Sequence, residues 1–157
     1  MKYVLFTLLC LAVVVFAFAQ DPSLRRKHFN LERDVALDGY DAVAYLNQSK
    51  AVRGNKSNSA MHAGITYNFS SMANKEEFSK NPSKFEPAYG GWCAYAMGSS
   101  GEKVSVDPKT FKIVNGKLNL FYNRLFNNTL EDWNKDETNL KRKADLNWQK
   151  TFNEGIY

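Results

Sequence analysis

"FKIVNGKLNLFY", Phe111 to Tyr122, consists of two strand-like apolar runs joined by Asn115-Gly116. A tight type I′ turn needs positive φ at both central residues, and Asn-Gly supplies that at little steric cost, so the stretch predicts a two-residue β-hairpin. Upstream, "ITYNF" (Ile65–Phe69) alternates Ile65, Tyr67 and Phe69 on one face with Thr66 and Asn68 on the other, which is strand periodicity. Ser70 or Ser71 then caps a helix through "SMANKEEFSK", with Met72 and Phe78 expected on similar faces. Asn81-Pro82 stops that helix, and Pro82 can open a short turn through Phe85.

Further upstream, "VALDGYDAVAYL" (Val35–Leu46) reads as a turn at Asp38-Gly39 feeding a short strand, and Lys50 to Ala60 as a loop or weak edge strand. Downstream, Phe126, Leu130 and Trp133 recur at helical spacing within a helix expected from about Asn123. Leu140, Ala144, Trp148 and Phe152 make the i, i+4 stripe of a second helix. The order strand, helix, hairpin, helix, helix predicts an α+β fold, a small antiparallel sheet with a β-hairpin packed by several helices.

The chain begins Met1-Lys2, followed by an apolar run from Tyr3 that closes on Ala17-Phe18-Ala19. This has the form of a cleaved secretory leader over residues 1–19, which implies a periplasmic or secreted protein with no membrane span after cleavage. Residues 20–34 are polar and dense in charge, and predict a flexible arm carrying His28 ahead of one domain over 35–157. The net charge is +5, or +4 without Lys2 of the leader, and the basic residues are interleaved with acids. That pattern is a solvated surface and argues against a nucleic-acid partner.

Of two cysteines, Cys10 lies in the leader, so the mature chain holds Cys93 alone and no internal disulfide. Cys93 stands in "YGGWCAYAMGSSG" (Tyr89–Gly101). It reads as a metal ligand, a thiol activated in the first turn of a helix opening near Trp92, or a small apolar core residue. In the second reading His62 is the neighbouring base and Asp41 or Asp38 orients it.

"GYDAVAYL" (Gly39–Leu46), "HAGITYNFSS" (His62–Ser71), "EEFSKNPSKFEPAYGGWCAYA" (Glu76–Ala96) and "DPKTFKIVNGKLNLFYN" (Asp107–Asn123) together resemble the exported branch of the YHS-domain family. The resemblance runs over roughly residues 35–152. It implies a compact hairpin-plus-helix core and a metal-binding role, with relatives of that core in copper-transporting pumps. The metal-handling members carry Tyr-His-x-Gly-x-x-Tyr-x-Phe-Cys. Met61, His62, Gly64, Tyr67 and Phe69 stand in that frame, but the first tyrosine is Met61, the cysteine is Ser70, and an upstream cysteine is missing.

A closed zinc site wants four N or S ligands, and one cysteine with two histidines does not supply them. Copper(I) accepts two or three soft ligands, so copper is the leading metal, with Cys93, His62, Met61 and Met97 as candidate ligands. The alternative is a module without chemistry of its own that binds a small ligand or a protein partner. Tyr40, Asp41, Tyr45, Tyr89, Trp92 and Tyr95 would then form an aromatic pocket with polar tips. Neither reading requires an enzyme; only activated Cys93 would.

Overall fold

The structure is a computed structural model that describes residues 21–153, with side chains through Thr151. The leader expected over residues 1–19 and the side chain of Phe152 lie outside the described residues.

The hairpin forms as its turn chemistry requires. Strands β5 (Asp107–Val114) and β6 (Lys117–Phe121) pair antiparallel through Val114↔Lys117, and Asn115 and Gly116 take φ of 50° and 74°. A second two-residue turn, Ala63-Gly64 at φ 45° and 82°, joins β3 (Asn55–His62) to β4 (Ile65–Phe69) in register His62↔Ile65. Strand β3 lies at the sheet edge, as its small polar residues suggest. The sheet order is β1 (Leu31–Glu32), β2 (Val35–Ala36), β4, β3. It is mixed rather than purely antiparallel, because β2 runs parallel to β4.

The fold is α+β, and its helices follow local rules. The Ser71 side chain accepts from the Asn74 N–H and starts α3 (Met72–Lys80), and Pro82 opens the one-turn helix α4 (Pro82–Phe85). Phe78 of α3 is 1% exposed and meets Tyr67 at 4.7 Å, Phe69 at 5.0 Å and Phe85 at 6.4 Å. Burying one such ring stabilises by about 2–3 kcal/mol, so this aromatic group anchors the first core. Met72 is exposed and does not share that face.

Three further expectations are corrected. Val43–Leu46 is helix, not strand. Helix α2 (Ala42–Gln48) begins where the Asp41 carboxylate takes the N–H groups of Val43 and Ala44, and a side-chain cap on the first turn outweighs the β preference of the short apolar run. The helix expected from Asn123 starts later, as α6 (Thr129–Lys135). Before it, β7 (Asn123–Arg124) and β8 (Asn127–Asn128) form a tiny hairpin whose tip exposes Leu125 and Phe126 completely. Asn128 caps α6 through the Leu130 N–H, and among the three stripe residues Trp133 is fully buried while Leu130 is half-buried.

The third correction concerns the arm. From Asp21 onward it is built into the fold as α1 (Pro22–His28), with Asp21 accepting from the Ser23 N–H and with Arg25, His28 and Phe29 buried. Its charge density does not report exposure, because Arg25 is matched by Glu86, 61 residues away. Two buried clusters result. One gathers Tyr45, Tyr67, Phe69, Phe78 and Leu120; the other gathers Tyr89, Met97, Phe121 and Trp133. The long helix α7 (Glu137–Asn153) presents Leu140 and Ala144 to the second cluster, and its Trp148 touches both. Gly98 of α5 (Ala94–Ser99) permits the close approach of α7, since a Cβ there would lie 2.5 Å from the Leu140 carbonyl oxygen. No helix among the described residues is long and apolar enough to cross a membrane.

Candidate functional site

Cys93 does not enter a helix but caps one. It precedes α5 with extended backbone, its side chain makes no cap bond, and its sulfur is fully buried. The Sγ lies 3.4 Å from Thr129 Oγ1 and accepts the Tyr122 N–H at 3.4 Å, while its backbone N–H donates to Val104. These are the sulfur's hydrogen-bond partners among the described residues, and neither is an imidazole. His62 instead closes β3 at the Ala63-Gly64 turn, where its ring meets Phe78 edge-on at 6.3 Å.

The four candidate copper ligands therefore have four different surroundings. Met61 is 71% exposed on β3, Met97 is fully buried beside Trp133 in the second cluster, and Cys93 and His62 have the partners just described. Among the described residues no three of His, Cys, Asp and Glu gather as a metal site. Ser70, which replaces the frame's cysteine, donates both its N–H (2.7 Å) and its hydroxyl (2.6 Å) to Asp41, so this position builds the α2–α3 junction. The same contacts occupy Asp41, and Asp38 pairs with Arg53, so neither orients His62.

The burial of Cys93 sets an expected result. In the native protein Cys93 should resist iodoacetamide, reacting only as fast as the protein opens, and alkylation should track denaturant concentration. Rapid labelling without denaturant would show an accessible thiol.

The expected aromatic pocket also divides. Tyr45 is core, donating its hydroxyl to the Pro108 carbonyl at 2.7 Å, and Tyr40 lies under the Arg53 guanidinium at 4.6 Å. Trp92 donates Nε1–H to the His28 carbonyl at 2.7 Å, and Tyr95 packs on the second cluster. Tyr89 alone of the six lines the cleft described next.

That cleft, of about 360 Å³, opens between α1, the segment 86–90, the β5–β6 turn and α7. Arg25, Phe29, Glu86, Tyr89, Asn119 and Trp148 give it its character. Arg25 and Glu86 form an ion pair with side chains only 7% and 13% exposed, and the Tyr67 hydroxyl donates to the same Glu86 oxygen at 2.8 Å. Burial first, and then the Glu86 charge, hold the Tyr67 phenol well above its ordinary value, so it stays a donor. Tyr89 donates to Asp145 Oδ1 at 2.9 Å, and its phenol is pushed up in the same way, by burial and then by the Asp145 carboxylate. Lys141 holds the other Asp145 oxygen at 2.7 Å.

The backbone beneath is strained. Tyr89, Gly90 and Gly91 all have positive φ (53°, 59° and 87°), a costly conformation for a bulky residue such as tyrosine. Gly90 is dictated by closeness, since a Cβ there would lie 2.7 Å from the Trp148 ring. Trp148 in turn meets Phe29 edge-to-face at 6.1 Å, which fixes the apolar wall. Arg25, Glu86, Asn119 and Asp145 were not singled out in the sequence, and Trp148 was read only as part of a helical core stripe. The one signal that pointed here was the Tyr-Gly-Gly triplet.

No family model, no curated protein and no solved structure matches this chain.

Proposed function

We propose that this protein is an exported binding domain of YHS type, without catalytic activity, that holds a small organic ligand in the Arg25–Glu86–Trp148 cleft. The observation that carries the reading is the cleft's construction: a buried ion pair, an aromatic wall and a left-handed Tyr89-Gly90-Gly91 turn meet around one hollow. Strained, polar and concave features concentrate where proteins bind ligands, and about 360 Å³ suits a small molecule. Export rests on the apolar leader and the YHS assignment on the four quoted segments. Copper, which the resemblance implies, draws less support, because its candidate ligands do not converge.

A thermal-shift screen of small polar aromatic compounds tests this reading. Compounds that raise the melting temperature of the wild type should have no effect on Trp148→Ala, which removes the wall. They should act undiminished on Cys93→Ser and His62→Ala. Stabilisation that survives Trp148→Ala and disappears with Cys93→Ser or His62→Ala would overturn the cleft assignment.

A further inference from the structure

Two hydrogen-bond acceptors in the cleft wall have no donor among the described residues. Both bonds to Glu86, from Arg25 and Tyr67, run to Oε1, which leaves Oε2 without one. Asn119 is 2% exposed, its amide N–H₂ donates to the Lys117 carbonyl at 3.0 Å, and its Oδ1 is buried with no donor. Of the two, only Asn119 Oδ1 is closed to water, and leaving a buried acceptor unpaired is costly, so a ligand that brings an N–H or O–H group to it recovers free energy that an apolar one does not.

The charges around the cleft do not cancel. Arg25 is matched by Glu86 and Lys141 by Asp145, whereas Lys117 has no carboxylate within ion-pair distance among the described residues; its Nζ donates to the Ser83 carbonyl. One positive charge is left at the rim beside an aromatic wall. That balance disfavours a cation and favours a monoanion.

From these three features we infer that the ligand is a small, flat organic acid carrying at least one N–H or O–H donor. This rests on the cleft reading above. The ring lies against Trp148 and Phe29, the donor satisfies Glu86 Oε2 or Asn119 Oδ1 directly or through one water, and the carboxylate faces Lys117. No covalent step is involved.

Three probes separate the requirements in calorimetric titrations of the full mature chain: indole-2-carboxylate, its 1-methyl derivative, which lacks the donor, and tryptamine, which lacks the acid. Indole-2-carboxylate should bind about tenfold more tightly than either of the others, a difference of about 1.4 kcal/mol. Lys117→Met, at an exposed position, should abolish the preference over tryptamine, and Asn119→Leu or Glu86→Gln should reduce the preference over the methylated acid. The methylated acid or tryptamine binding as tightly as indole-2-carboxylate would overturn the inference. So would silence from all three probes while another compound in the screen occupies the cleft, an outcome that leaves the cleft reading intact. Failure of every compound to occupy the cleft would sink both.

Discussion

Asp41→Ala should lower the unfolding free energy by about 4 kcal/mol, because one fully buried carboxylate serves five donors. Its Oδ1 caps α2 through Val43 and Ala44, and its Oδ2 takes the Ser70 N–H, the Ser70 hydroxyl and the Asn74 amide. Truncation loses the helix cap at the buried Val43 and Ala44 N–H groups, worth about 1 kcal/mol, and takes the shared acceptor from the part-buried donors of Ser70 and Asn74. Asp41→Asn keeps one acceptor oxygen and should cost clearly less. Urea titrations of the three proteins measure this, and a loss below about 1 kcal/mol for the alanine variant would show that these donors find other partners.

Arg25→Ala should be nearly as damaging, at about 3–4 kcal/mol, by a different route. It strands the Glu86 carboxylate in a site 13% exposed, with the Tyr67 hydroxyl as its remaining bond among the described residues. The guanidinium also packs over the Phe29 ring at 4.4 Å and donates Nε–H to the Ala63 carbonyl at 3.1 Å, so packing is lost along with charge. The double variant Arg25→Met, Glu86→Gln should recover much of the stability, because removing both charges removes the unpaired one. It should not recover ligand binding. If Arg25→Ala is close to neutral in denaturant titration, α1 is not the anchored element described above.

What the sequence disclosed was local. The Asn115-Gly116 turn, the Ser71 cap and the Pro82 start each depend on a few adjacent residues whose chemistry has few solutions, and all three occur as read. The errors arose where distant partners decide. Val43–Leu46 is apolar enough for a strand, but Asp41 is recruited by Ser70 and Asn74 from another element and fixes a helix start instead. The arm looked solvated because Arg25 was visible and its match with Glu86 was not. Phe126 sits at helical spacing from Leu130 and Trp133, yet a two-residue hairpin turn at Leu125-Phe126 carries it into solvent.

The site was hidden for the same reason. Its residues come from α1, the turn after α4, β6 and α7, and no single local pattern gathers them. Tyr89-Gly90-Gly91 was legible as unusual backbone, but its purpose, admitting Trp148 against Gly90, depends on a residue 58 positions later. Cysteine and histidine attracted attention because their chemistry is conspicuous. In the structure the thiol is a core residue held by Thr129 and Tyr122, and the imidazole finishes a hairpin.

The most direct test is one ¹H–¹⁵N NMR titration of the protein with the most stabilising compound from the thermal screen, read at both places at once. The cleft account predicts saturable shifts for the amides of Tyr89, Gly90 and Asn119 and the Trp148 indole, with those of Cys93, Ala94, His62 and Ala63 unmoved. Saturable shifts confined to the Cys93 or His62 amides, with the Tyr89–Gly90 turn silent, would contradict it.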